Sequence, residues 1–194
     1  MQIINLVFSL LLPKYFSPAQ FAEFGIFTSI VFILIEVNNA KLDIAVMLGK
    51  NKEDAKKIVD ASFTFAIIFS IVLFLVSIAI IYLYSKVYIL LSFVVLLYGI
   101  HQPILTYLNK IEHYKAINIF RIIQVLTTSV VTILLAIQHV NHALILGFTA
   151  GLAVSTIYCL FFLRPKFSII ILKETWKQYD QFPKYGTWSS LFNN

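Results

Sequence analysis

An all-α bundle of membrane-spanning helices is the fold class this sequence predicts, and three observations carry the prediction. Of its 194 residues 60% are hydrophobic and only 12% charged, whereas soluble domains are about half apolar and about a quarter charged. The apolar residues gather into long runs, and the run 61–84 holds no charge at all. The cations fall between the runs, in short polar segments. A globule has too much surface to cover with so few charges, so lipid is the natural solvent for such a chain.

Taken in order, the first apolar stretch covers residues 3–12, short of the ~20 residues that cross a ~30 Å hydrocarbon core. Residues 1–12 have no basic n-region and no small-residue cleavage site, which argues against a signal peptide. We expect a first helix that has lost its beginning. A turn at 13–18 leads to a second run, 21–37. The polar, lysine-rich segment 38–57 follows, interrupted by an apolar patch at 44–48. The third run, 61–84, joins the fourth, 87–108, through a tight connection at Ser85 and Lys86. Residues 109–115 are polar, the fifth run is 116–137, a turn occupies 138–142, and the sixth run is 143–163. Five of the six are long enough to span. A membrane β-barrel needs segments of about ten residues that alternate apolar with polar. Residues 67–81 are apolar on both parities, so the barrel fails.

The basic residues predict an orientation. Thirteen of the 15 lie on one side of this helix count and only Lys14 and Lys86 on the other, which makes the first side cytoplasmic. Residues 165–182 mix Ile169–Leu172 with Lys173, Glu174, Lys177 and Asp180, beside Trp176 and Tyr179. Rings next to lysines favour the headgroup layer, so an interfacial helix is expected there. Pro183 suits the first turn of a seventh span. The expected organisation is a bundle over 1–163, a cytoplasmic or interfacial linker over 164–182, and the start of a seventh helix over 183–194. We expect truncation at both ends.

The net charge of +6 could suggest nucleic acid, but cations confined to loops between spans point to the membrane surface instead. Cys159 is the single cysteine, so no intrachain disulfide forms. The sequence has no phosphate-cradling or dinucleotide-binding glycine loop and no zinc-spaced cluster, and no cofactor is expected. Polar groups inside the spans carry more information, because a charge at the bilayer centre costs at least ~2.5 kcal/mol. Glu36 lies near the end of the second run, before Asn38 and Asn39. It either lines a polar cavity or carries a coupling proton, or else is an interfacial carboxylate paired to Lys41. Arg121 sits one to two turns into the fifth run with Gln124 three residues on. Its guanidinium can hold a phosphate bidentately, or snorkel to the headgroups. His101-Gln102-Pro103 is expected to interrupt and kink the fourth helix, since Pro103 cannot donate to the carbonyl of Gly99. Such breaks often line transport sites, although plain bending with His101 bonded to a neighbouring helix is the simpler account. Gly147 and Gly151 form a Gly-x-x-x-Gly pair, read as close helix packing.

Ser17-Pro18-Ala19-Gln20-Phe21 with Phe24-Gly25 resembles the opening of the second helix in bacterial oligosaccharide (O-antigen) flippases of the polysaccharide-biosynthesis family. Lys41-Leu42-Asp43-Ile44-Ala45-Val46 resembles that family's basic-Leu-acidic-aliphatic-Ala motif, with lysine where arginine is common. Asn109-Lys110, Arg121-Ile122-Ile123-Gln124, Leu146-Gly147 with Gly151, and Phe182-Pro183-Lys184-Tyr185 with Thr187 extend the resemblance from about residue 13 to 194. The resemblance implies one lobe of a two-lobed, roughly twelve-helix transporter of the multidrug/oligosaccharidyl-lipid/polysaccharide exporter superfamily, in the bacterial inner membrane. Such proteins turn undecaprenyl-diphosphate-linked sugars across the membrane by alternating access, without enzymatic chemistry. The partners implied are the lipid-linked oligosaccharide, membrane lipid, and a missing carboxy-terminal lobe or a second copy. Arg121 and Lys41 are then the candidates for the diphosphate, and Gln124, His101, Gln102 and Asn118 for the sugar. Two rivals remain. A small-molecule exporter of the same superfamily would need an ion-coupling carboxylate such as Glu36 deep in a helix. A membrane polymerase or ligase would need a long exterior loop carrying arginine and histidine.

Overall fold

The structure is a computed structural model and describes residues 8, 10, 12–80 and 89–186. The expected helix over 3–12, the connection at 85–86 and the continuation of a seventh span over 187–194 lie wholly or largely outside the described residues. Within them the chain is helical, and five helices are long and apolar enough to cross a membrane. It is a polytopic helix bundle.

A 3-10 turn at Leu12–Lys14 precedes α1, Pro18–Asn38. The start of α1 is fixed by a capping box: Ser17 Oγ accepts from the Gln20 N–H, and Gln20 Oε1 accepts from the Ser17 N–H at 2.9 Å. Pro18 at the first helical position loses no bond. A short helix α2, Leu42–Ala45, runs into a 3-10 turn, Val46–Leu48, which accounts for the apolar patch at 44–48. Leu42, Ala45 and Val46 point into the bundle while Ile44, Met47 and Leu48 are exposed.

The next helix, α3, covers Lys52–Ile80 and begins nine residues before the uncharged run. Asn51 Oδ1 accepts from the Asp54 N–H at 2.8 Å, and Asp54 Oδ2 accepts from the Lys50 N–H at 2.9 Å. This satisfies the first donors of a helix that starts in water. Helices α4 (Ile89–Lys110), α5 (Tyr114–Ile137) and α6 (Ala143–Phe162) follow. α4 runs without interruption through Pro103, against the expected break at His101-Gln102-Pro103. The missing Pro103 N–H removes one rung, and the turns on either side hold the helix together.

Two close approaches organise the bundle. Gly147 and Gly151 of α6 face Thr132 and Thr128 of α5, and a Cβ on Gly151 would stand 2.7 Å from the carbonyl oxygen of Gln124. Small residues let these backbones touch, as the glycine pair predicts. On the other side, Gly99 of α4 receives the Asn38 side chain, whose Nδ2 donates to the Val95 carbonyl at 2.6 Å. Phe27, Val31, Val94, Ile145 and Leu152 fill the space between α1, α4 and α6.

After α6 the chain turns back. α7, Ile169–Gln178, runs antiparallel beside the first turns of α3. The Lys166 N–H donates to Asp60 Oδ1 at 2.8 Å, the Ser168 N–H to Thr64 Oγ1 at 3.0 Å, and the Tyr179 hydroxyl reaches Asp54 Oδ2 at 3.5 Å. Trp176 packs on Phe65 with ring centroids 5.4 Å apart. A π-helical turn, Phe182–Gly186, ends the described chain.

Candidate functional site

Where α4 ends and α5 begins, the two helices part and leave a groove of ≈ 350 Å³. α4 lines it with Gln102, Leu105, Thr106 and Asn109. α5 lines it with Tyr114, Ile117, Asn118 and Arg121. Gln102, Thr106 and Asn109 are spaced i, i+4, i+7, as are Tyr114, Asn118 and Arg121, so each helix turns one polar stripe toward the other. Ile117, beneath, belongs to the core.

Three residues singled out from the sequence therefore meet here: Gln102, Asn118 and Arg121. Thr106, Asn109 and Tyr114 were missed: Thr106 is a polar residue inside an apolar run one turn from Gln102, a signal legible without coordinates, whereas Asn109 and Tyr114 fall in the polar segment between two runs. The other candidates go elsewhere. Gln124 lies half-buried one turn beyond Arg121, its carbonyl against Gly151. His101 is buried on the flank of α4 beside the polar stripe, its Nε2 3.2 Å from Ser155 Oγ. That hydroxyl in turn donates to the Phe120 carbonyl at 3.3 Å. His101 is thus bonded across the helix interface and does not line the groove.

Lys41 and Glu36 form an ion pair at the end of α1, the pairing weighed for Glu36. Lys41 adopts a left-handed backbone, φ 56°, which folds its side chain back over α1. Asp43 stands close by. Burial pushes its carboxyl above the ordinary aspartate range, Lys41 pulls it down, and Glu36 adds repulsion. The folded carboxyl holds its proton more tightly than the unfolded one, so its ionised form costs stability at neutral pH. Asp43→Asn is therefore expected to raise the thermal midpoint of purified protein at pH 7. The gap should close as the pH falls below about 4, where the wild-type carboxyl is protonated too. A constant gap across the titration would mean the carboxyl is not the cause.

Two contacts were invisible in the sequence. Lys110, at the end of α4, donates to the carbonyls of Val46 at 3.1 Å, Met47 at 2.9 Å and Gly49. It thereby holds the turn after α2. Asp60, 5% exposed, ties down the chain ahead of α7.

The groove offers one guanidinium, three amides, two hydroxyls and an open side. Among the described residues its lining contains no carboxylate, imidazole or thiol, and no group of three or more potential metal ligands occurs among them. Such a surface suits an anionic or hydroxyl-rich ligand: guanidinium forks match phosphate oxygens, and amides match hydroxyls.

The fold defines a polytopic α-helical membrane protein, with a cationic, amide-lined groove at the more basic end of its helices. A family model described as polysaccharide biosynthesis protein matches residues 17–194. The chain belongs to that family, and its role lies in polysaccharide synthesis or export. No curated protein and no solved structure matches it.

Proposed function

We propose that the protein flips a polyprenyl-diphosphate-linked oligosaccharide across the bacterial inner membrane, with the α4–α5 groove receiving the headgroup. The observation that carries the reading is Arg121 beside Gln102, Asn109 and Asn118 in one open groove. The guanidinium takes the diphosphate, the amides and Thr106 take sugar hydroxyls, and the lipid tail stays in the bilayer. This reading calls for binding and reorientation by alternating access, with no bond made or broken. A second lobe, carried by the same polypeptide or by another copy, supplies the other wall. The basic loops face the cytoplasm, where lipid-linked sugars are assembled.

The pairing of Glu36 with Lys41 favours this over an ion-coupled small-molecule exporter, whose coupling carboxylate would have to be available to a proton or cation. The test sets Arg121→Ala, Arg121→Lys and Glu36→Gln side by side in cells that depend on this gene for surface polysaccharide. Arg121→Ala should abolish the polysaccharide while the protein still inserts, and Arg121→Lys should restore only part of it, because lysine keeps the charge and loses the fork. Glu36→Gln should leave most of it. Wild-type polysaccharide from Arg121→Ala would reduce Arg121 to a headgroup anchor, and complete loss in Glu36→Gln would favour ion-coupled exchange.

A further inference from the structure

The chain between α6 and α7 stands at a depth that α3 reports. The described part of α3, 29 residues, covers about 43 Å at 1.5 Å rise per residue, more than a ~30 Å hydrocarbon core. Its last charge is Asp60, and the uncharged run that begins at Ala61 is by itself long enough to cross that core. The edge of the core therefore falls near Asp60 and Ala61, and Lys52–Val59 rise out of it. α7 is fastened to α3 at both ends of this rise, with Tyr179 against Asp54 at the outer end. Lys166 and Ser168, bonded to Asp60 and Thr64, mark the inner end. So α7 stands along the protruding turns of α3, and the chain from Arg164 to Ile170 lies at the membrane edge.

What that segment exposes fits the depth. Ile170 is 72% exposed, Phe167 52% and Ile169 50%. These three large apolar side chains do not pack on the bundle, whereas Ile171, Leu172, Trp176 and Tyr179 of the opposite face do. Arg164 and Lys166 are exposed around them, and Lys173 and Lys177 continue the exposed face outward. Over residues 164–178 four cations face one carboxylate, Glu174. Apolar tips at the acyl boundary with cations one layer above are the arrangement that binds anionic lipid surfaces.

We infer that the 164–170 segment is a lipid anchor: Phe167, Ile169 and Ile170 enter the boundary between acyl chains and headgroups, and Arg164 and Lys166 hold phosphates of anionic phospholipid. The anchor pins the segment joining the sixth run to whatever follows α7, and stands independently of the groove's substrate.

The test is a depth measurement on the full chain in phosphatidylcholine vesicles, with and without phosphatidylglycerol. A nitroxide is placed at Ile170→Cys or Lys177→Cys; Cys159 is buried, so the introduced thiol takes the label. In vesicles containing phosphatidylglycerol the label at 170 should meet oxygen freely and a water-soluble nickel chelate several-fold less than the label at 177. Without the anionic lipid, or with Arg164→Gln and Lys166→Gln together, the label at 170 should move toward water. Equal nickel access at 170 and 177 would overturn the anchor. Shielding of 170 from both quenchers would show that protein covers the tip, which also overturns it. Unchanged depth without anionic lipid would overturn the role of the two cations.

Discussion

Gly151→Leu should separate α5 from α6 and cost about 3 kcal/mol or more, because overpacking a tight contact typically costs 1–3 kcal/mol and here the obstacle is backbone. A Cβ at this position already meets the Gln124 carbonyl at 2.7 Å and the Thr128 nitrogen at 2.9 Å. Backbone cannot step aside as the end of a flexible side chain can. Gly25→Leu provides the comparison within the same molecule, since nothing stands within 4 Å of a Cβ there. It adds apolar surface to the exposed side of α1 and should melt at or above the wild-type temperature. Thermal unfolding of both variants in the same detergent decides the matter. A wild-type midpoint for Gly151→Leu would mean the α5–α6 seam is looser than its geometry.

Lys110→Met should be the second most damaging change, at about 2–3 kcal/mol, the scale of hydrogen bonds made by a charged donor together with carbonyls left unsatisfied. Methionine keeps much of the apolar stem and removes the ammonium that Val46, Met47 and Gly49 share. The turn after α2 should then open, and limited proteolysis should cut near Lys50 and Lys52 faster than in wild type. Cleavage there at the wild-type rate, with an unchanged melting midpoint, would show that the three carbonyls find water at no cost.

The spans were legible because lipid leaves little choice: backbone groups in the core must bond within a helix, and side chains must be apolar for about 20 residues. That constraint ends at the headgroups, and the reading weakened at the same place. The first nine residues of α3 precede the uncharged run: Asn51-Lys52-Glu53-Asp54 reads as an ordinary helix start, but nothing in its spacing joins that start to the span. Their helix rests on Asn51 and Asp54 as caps and on α7 packed alongside, the latter a contact between residues more than 100 positions apart. The site divided in a similar way. Arg121, Asn118 and Gln102 announce themselves by polarity inside apolar runs, and the groove contains all three. His101 gave the same signal and was satisfied by Ser155, 54 residues away. Polarity in a span says that a partner is needed; only the packing of helices says whether the partner is protein or ligand.

The two flanks of α5 are unlike. Against α6 it is locked by glycine and threonine with backbone touching backbone, while its first two turns stand apart from α4 across the groove. α6 is in turn tied to α4 through Ser155 and His101, so the groove is a notch in a triangle of three joined helices and its far wall is braced from behind.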